Sequence, residues 1–172
     1  RKSSRLIFAK LLSRKMPALL TRMSARPQAD RTRSTIAAIC ASSVTDAATG
    51  KPLASLYVDL YPREGKYNHA AVWPLRSGSV ATGRTPMAAL VVNFDRKGLS
   101  LEELETLLHE FGHAVHNNLS ATRYAMQGGT SVKHDFVEAP SQMLEDWVYD
   151  RRVLDLFKQA CPECKPVPDD LL

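Results

Sequence analysis

The stretch LSLEELETLLHEFGHAVH, residues 99–116, carries a helix start signal and, within that one helix, two histidines four residues apart. Ser100 and Glu103 form a capping-box pair, and Leu99 and Leu104 stand where a hydrophobic staple closes, so the spacing predicts a helix beginning near Leu101. Leu104, Leu107, Leu108, Phe111, Ala114 and Val115 then share one broad apolar face, while Glu105, His109, His113 and His116 share the other. Gly112 costs such a helix about 1 kcal/mol relative to alanine. Its place beside the polar face predicts the close approach of another backbone or of a substrate.

His109 and His113 project about 40° apart with roughly 6 Å of rise between them, so both can grip a single ion. Glu110 is turned about 100° from His109, which sets it beside the ion, where it takes a proton from water. A catalytic zinc keeps three protein ligands and leaves a fourth position for water, and two histidines with one glutamate are a standard set. Glu138, within Asp135-Phe136-Val137-Glu138, supplies the third ligand, the alternative being that it merely caps the next helix. The constellation reads as a zinc peptidase site holding one Zn2+ per chain. Zinc acidifies its bound water, Glu110 accepts the proton, the hydroxide attacks a peptide carbonyl, and Glu110 passes the proton to the departing amine. His116 reads as a packing histidine first and as a ligand-orienting one second.

A second helix is expected to begin within residues 135–140, because proline is tolerated in a first turn. Phe136, Val137, Met143, Leu144, Trp147, Val148, Leu154 and Phe157 then recur at helical spacing. Gln142 and Glu145 share the face of Glu138, and either is placed to orient a ligand. Upstream, residues 53–61 alternate Ala54, Leu56, Val58 and Leu60 against Ser55, Tyr57, Asp59 and Tyr61, which predicts a strand. Residues 70–75 and 87–94 are further strand candidates, and residues 68–73 are the candidate edge for a substrate backbone. The fold class is therefore α+β, a small sheet packed on two helices that bear the zinc ligands. Residues 120–134, with Gly128 and Gly129, form a loop between those helices, in which Tyr124 and His134 are candidates for substrate contact and more commonly simply exposed.

The net charge of +5 conceals two unlike parts: residues 1–35 hold ten Lys or Arg against Asp30 alone, and the remainder holds thirteen against seventeen acidic residues. The division expected is a basic, acid-poor leader or unrelated segment over residues 1–44 and an incomplete catalytic core over residues 45–172. Ile7, Phe8, Leu11, Leu12, Met16, Leu19, Leu20 and Met23 are spaced for an amphipathic basic helix of the kind found in organelle transit peptides or on membrane surfaces, with a disordered tail as the alternative. The location expected is cytoplasmic, or mitochondrion or plastid if this segment is a transit peptide. Phe8 is the arm's single aromatic residue, which argues against a nucleic-acid partner, and no run of eighteen apolar residues offers a transmembrane helix. Cys161 and Cys164 form a lone C-x-x-C with only Cys40 left over, too few for a structural zinc site, so free thiols are expected.

Four stretches carry a wider resemblance: DLYPREGKYNHAA (59–71), LLHEFGHAVH (107–116), GGTSV (128–132) and DFVEAPSQ (135–142). Over residues 46–157 the chain resembles the thimet oligopeptidase family of zinc metallopeptidases, which includes neurolysin, oligopeptidase A and peptidyl-dipeptidases. The resemblance implies a zincin-like core, zinc ligands at His109, His113 and Glu138, a general base at Glu110, and short peptides as substrates reached through a deep channel. Members of that family are several times longer, with helical regions before and after the core, one of them carrying a tyrosine- and histidine-bearing loop that stabilises the reacting carbonyl. The expectation is thus a fragment or truncated paralogue: a zinc oligopeptidase core, or alternatively a non-catalytic metal-binding remnant.

Overall fold

A computed structural model describes residues 39–160 except Ala47 and Lys97, together with Val167. The basic stretch over residues 1–35 and the pair Cys161 and Cys164 lie outside the described residues. No helix among the described residues is long and apolar enough to cross a membrane.

The alternation over residues 53–61 becomes β2, Pro52–Asp59, the strand from which the sheet is built. It pairs antiparallel with β1, Ile39–Thr45, and parallel with β4, Met87–Val91; β3, Ala71–Arg76, closes the far side antiparallel to β4, giving the order β1-β2-β4-β3. Leu56 pairs with Ala88 and Val58 with Leu90, so one face of the sheet is continuously apolar and buried. β1 is a strand that the sequence reading did not predict. Its run ICASSVT keeps its β-branched residues, Ile39, Val44 and Thr45, at the ends, with the small residues Cys40, Ala41, Ser42 and Ser43 between them and no apolar–polar alternation. A tight turn builds it instead: the Asp46 carboxylate accepts hydrogen bonds from Ala48 N, Thr49 N and Thr49 Oγ1, and Gly50 supplies φ +69°.

Against the apolar face lies α1, Leu101–Asn118, whose start is as the sequence predicts: Glu103 N donates to Ser100 Oγ at 3.1 Å, and Ser100 N donates to Glu103 Oε2 at 2.7 Å. Leu104, Leu107, Leu108 and Ala114 are buried in one core with Leu56, Val58, Ala88, Leu90 and Val92.

The second predicted helix is interrupted. It runs as α2, His134–Val137, then α3, Ala139–Glu145, a 3-10 turn at Asp146–Tyr149, and α4, Arg151–Ala160. Pro140 accounts for the first break, because it has no N–H for the carbonyl of Phe136 four residues earlier and is instead tolerated in the first turn of α3. The second break is at Asp150, whose backbone is extended and whose carboxylate accepts from Arg152 N at 2.8 Å. Arg152's guanidinium and amide together hold that exposed carboxyl down to about 2. The breaks rotate the apolar positions out of a single stripe. Leu144, Val148 and Leu154 are buried, whereas Phe136, Met143 and Trp147 are exposed.

The loop leading from β2 to β3 is held by a buried lysine. Lys66 Nζ, whose side chain is only 3% exposed, lies 3.0 Å from Asp59 Oδ1 and donates to the carbonyls of Asp59, Tyr61 and Val92 at 3.1, 2.9 and 2.6 Å. It ties the ends of the parallel strands β2 and β4 to the chain entering β3. Arg63 grips the same carboxylate at 2.8 and 2.9 Å, so Asp59 keeps one partner if Lys66 is lost. Lys66→Met is expected to cost about 3 kcal/mol, the lower end for breaking a buried ion pair, as read from urea unfolding; a loss below about 0.5 kcal/mol would remove this role.

Candidate metal centre

α1 sets His109 and His113 on one face with their rings edge to face, centroids 4.9 Å apart. Between them Gly112 is buried against α3. A Cβ there would lie 2.5 Å from Ser141 Cα and 2.6 Å from Pro140 O, so a residue without a side chain lets the two helices meet backbone to backbone. The close approach expected from Gly112 is therefore made by another backbone, that of α3. It brings Glu138, at the junction of α2 and α3, over the two imidazoles: Glu138 Oε2 lies 3.3 Å from His109 Nε2 and 3.1 Å from His113 Nε2.

One ligand atom from each of these three residues lies within 4.8 Å of the other two. A tetrahedral ion with metal–ligand bonds of about 2.0–2.1 Å separates its ligands by roughly 3.3 Å. The residues present fit such an ion in spacing and in donor type. Protonation fits as well. Ser141's hydroxyl, bonded to the Glu138 carboxylate, holds that group below the usual glutamate range, with both imidazoles adding to the effect. Burial pushes His113 down, toward the neutral imidazole that a metal requires, against the opposing charge of Glu138. His109 Nδ1 forms a short hydrogen bond with Glu145 Oε1. The same ring presents its other nitrogen, Nε2, toward Glu138. Of the two residues expected to orient a ligand, Glu145 is hydrogen-bonded to His109, whereas Gln142 is exposed.

Glu110 is buried at 6% exposure, one position along α1 from His109. Its Oε2 is buried with no hydrogen-bond partner among the described residues. Burial raises its carboxyl above the ordinary glutamate value; the His109 imidazole, the backbone amide of Val72 in β3 and His69 oppose the rise. A buried carboxylate with a raised affinity for protons, beside a cluster of ligand atoms, is suited to taking a proton and giving it back.

His116 packs edge-on to Phe136, centroids 6.3 Å apart, but its Nδ1 is buried and unpartnered among the described residues, so it is not the fully hydrogen-bonded structural histidine expected. Tyr124 and His134 are both exposed. The sequence reading missed Ser141 and the Val72 amide. The first was legible only as a serine three residues after a ligand on a helix; the second is a main-chain group and leaves no residue signature. β3 is an edge strand, as the reading of residues 68–73 expected.

The model of peptidase family M3 matches residues 23–172. Among curated relatives, the chain is 43% identical over 142 residues to a thimet-like oligopeptidase of Dictyostelium discoideum, covering 76% of this chain and 21% of that protein. It is 39% identical over 129 residues to the mitochondrial intermediate peptidase of Arabidopsis thaliana, covering 70% and 18%. With saccharolysin of Saccharomyces cerevisiae it shares 36% identity over 127 residues, 68% of this chain and 18% of the relative. The chain thus spans about a fifth of the length of the relatives it matches.

Proposed function

The chain belongs to peptidase family M3, and from that premise we propose that it carries a zinc oligopeptidase site cleaving short peptides. His109 Nε2, His113 Nε2 and Glu138 Oε2 would hold one Zn2+, in a zincin-like core. The observation that carries this reading is the convergence of those three atoms within 4.8 Å beside the buried Glu110 carboxylate. When bound, zinc supplies a Lewis acid that polarises the peptide carbonyl and acidifies water. Glu110 accepts the water proton and delivers it to the departing amine, an exchange favoured by the burial that raises its affinity for a proton. Glu145, hydrogen-bonded to His109 Nδ1, would favour the tautomer that ligates through Nε2, and the Ser141 hydroxyl favours the charged form of Glu138.

The edge of β3 is where an extended peptide would add by backbone pairing, since β4 covers only one side of that strand. The division into a leader and a core belongs to the same proposal, but the pairing of β1, Ile39–Thr45, to β2 moves the start of the core from the expected residue 45 back to residue 39. Of the locations expected, the basic residues 1–35 and the relatives named mitochondrial intermediate peptidase support the mitochondrion, with the cytoplasm as the alternative. Imaging of a fusion that leaves the N-terminus free decides between them.

The activity is tested with short quenched fluorescent peptides on the purified chain. Cleavage is expected, with loss on chelation and recovery on adding one equivalent of zinc. Stoichiometric zinc without cleavage would select the non-catalytic metal-binding reading instead.

A further inference from the structure

Ser141 is wholly buried, at 0% exposure, in the first turn of α3. Its Oγ lies 2.9 Å from the main-chain oxygen of Glu138 and 2.8 Å from Glu138 Oε2. Oε2 is the same atom that stands 3.1 and 3.3 Å from the two imidazole nitrogens. A helical serine commonly returns its hydroxyl to a carbonyl one turn back, and that bond alone has only local structural meaning. The second acceptor is different in kind. Glu138's side chain is 43% exposed and would otherwise sample several rotamers. The hydroxyl anchors it from the protein interior.

Ser141 cannot drift to follow the glutamate, because its own backbone is wedged against Gly112, where even a Cβ would come within 2.5 Å. The chain of constraint therefore runs from the glycine between the two histidines, through the Ser141 backbone, to the Glu138 carboxylate. We propose that Ser141 is a positioning residue that fixes the Glu138 carboxylate in its ligating pose. It thereby sets the affinity and geometry of the metal centre without touching the metal. The inference deepens the zinc reading above and rests on it.

The test uses the full 172-residue chain, wild type against Ser141→Ala, which removes the hydroxyl and adds no bulk. Three quantities are read: zinc dissociation constant by competition with a chromophoric chelator, the visible absorption of the cobalt(II)-loaded protein, and the melting temperature of the metal-free chain. Ser141→Ala is expected to bind zinc about 10- to 100-fold more weakly and to show an altered cobalt spectrum. Unchanged affinity and spectrum would overturn the proposal, and a fall in the metal-free melting point beside them would assign the hydroxyl to helix structure alone. A wild-type chain that takes up no zinc would overturn the metal reading itself, and this proposal with it.

Discussion

Glu110→Gln is expected to retain one zinc per chain while its peptide cleavage falls by about 10³- to 10⁴-fold, the upper part of the range for a lost general acid–base. The substitution keeps the size and shape of the side chain and removes only the ability to carry a proton. Glu110 Oε2 has no hydrogen-bond partner among the described residues, so the replacement breaks no bond at that atom. The same variant carries a pH signature. Burial raises the folded-state pKa of Glu110 above its unfolded value, so below the unfolded pKa both states are protonated and burial carries no charge penalty. As pH rises through the folded pKa, the buried group ionises and stability is lost. The metal-free Glu110→Gln chain should therefore melt higher than wild type at pH 7, with the gap closing toward pH 4. Equal cleavage by variant and wild type would eliminate Glu110 as the base.

Gly112→Ala sets two effects against each other, and their magnitudes decide the outcome. Alanine in a helix interior gains about 1 kcal/mol over glycine. Here, however, the new Cβ would meet Ser141 Cα at 2.5 Å and Pro140 O at 2.6 Å, both main-chain atoms that cannot rotate away. Overpacking against yielding side chains already costs about 1–3 kcal/mol, and a rigid backbone places this site at or above the top of that range. The net expectation is destabilisation by about 2 kcal/mol. The more specific consequence is a displaced α3: Glu138 sits at its start, so zinc affinity should fall by about 100-fold. Calorimetric melting and chelator competition on the same preparation separate the two effects. A more stable variant with unchanged zinc binding would show that the helices do not need the contact.

The legibility of the chain followed the range over which each signal acts. α1 was readable because every determinant is local: the capping box at Ser100 and Glu103, the staple, and an uninterrupted apolar face. The meeting of His109, His113 and Glu138 was readable because chemistry demands those side chains at one point, whatever the path between them. β2 declared itself by alternation, whereas β1 did not, since Cys40, Ala41, Ser42 and Ser43 give its middle no period and its register follows from the Asp46 turn. The run from residue 135 to 157 read as one helix because apolar periodicity is blind to phase breaks. Pro140 and Asp150 were the signals of those breaks, and only the first was weighed, as a start. Lys66 was quoted within a motif, but its burial depends on carbonyls at three separate places, which no spacing rule foresees. Ser141 was missed for the same reason, since its importance depends on Gly112 lying opposite.

The account rests on one ion shared by two turns of α1 and the carboxylate that α3 brings to them. X-ray diffraction from crystals of the zinc-loaded chain, with anomalous data at the zinc edge, measures this directly. It should place a single zinc within bonding distance of His109 Nε2, His113 Nε2 and a Glu138 carboxylate oxygen. Zinc bound elsewhere, or held without Glu138, would contradict it.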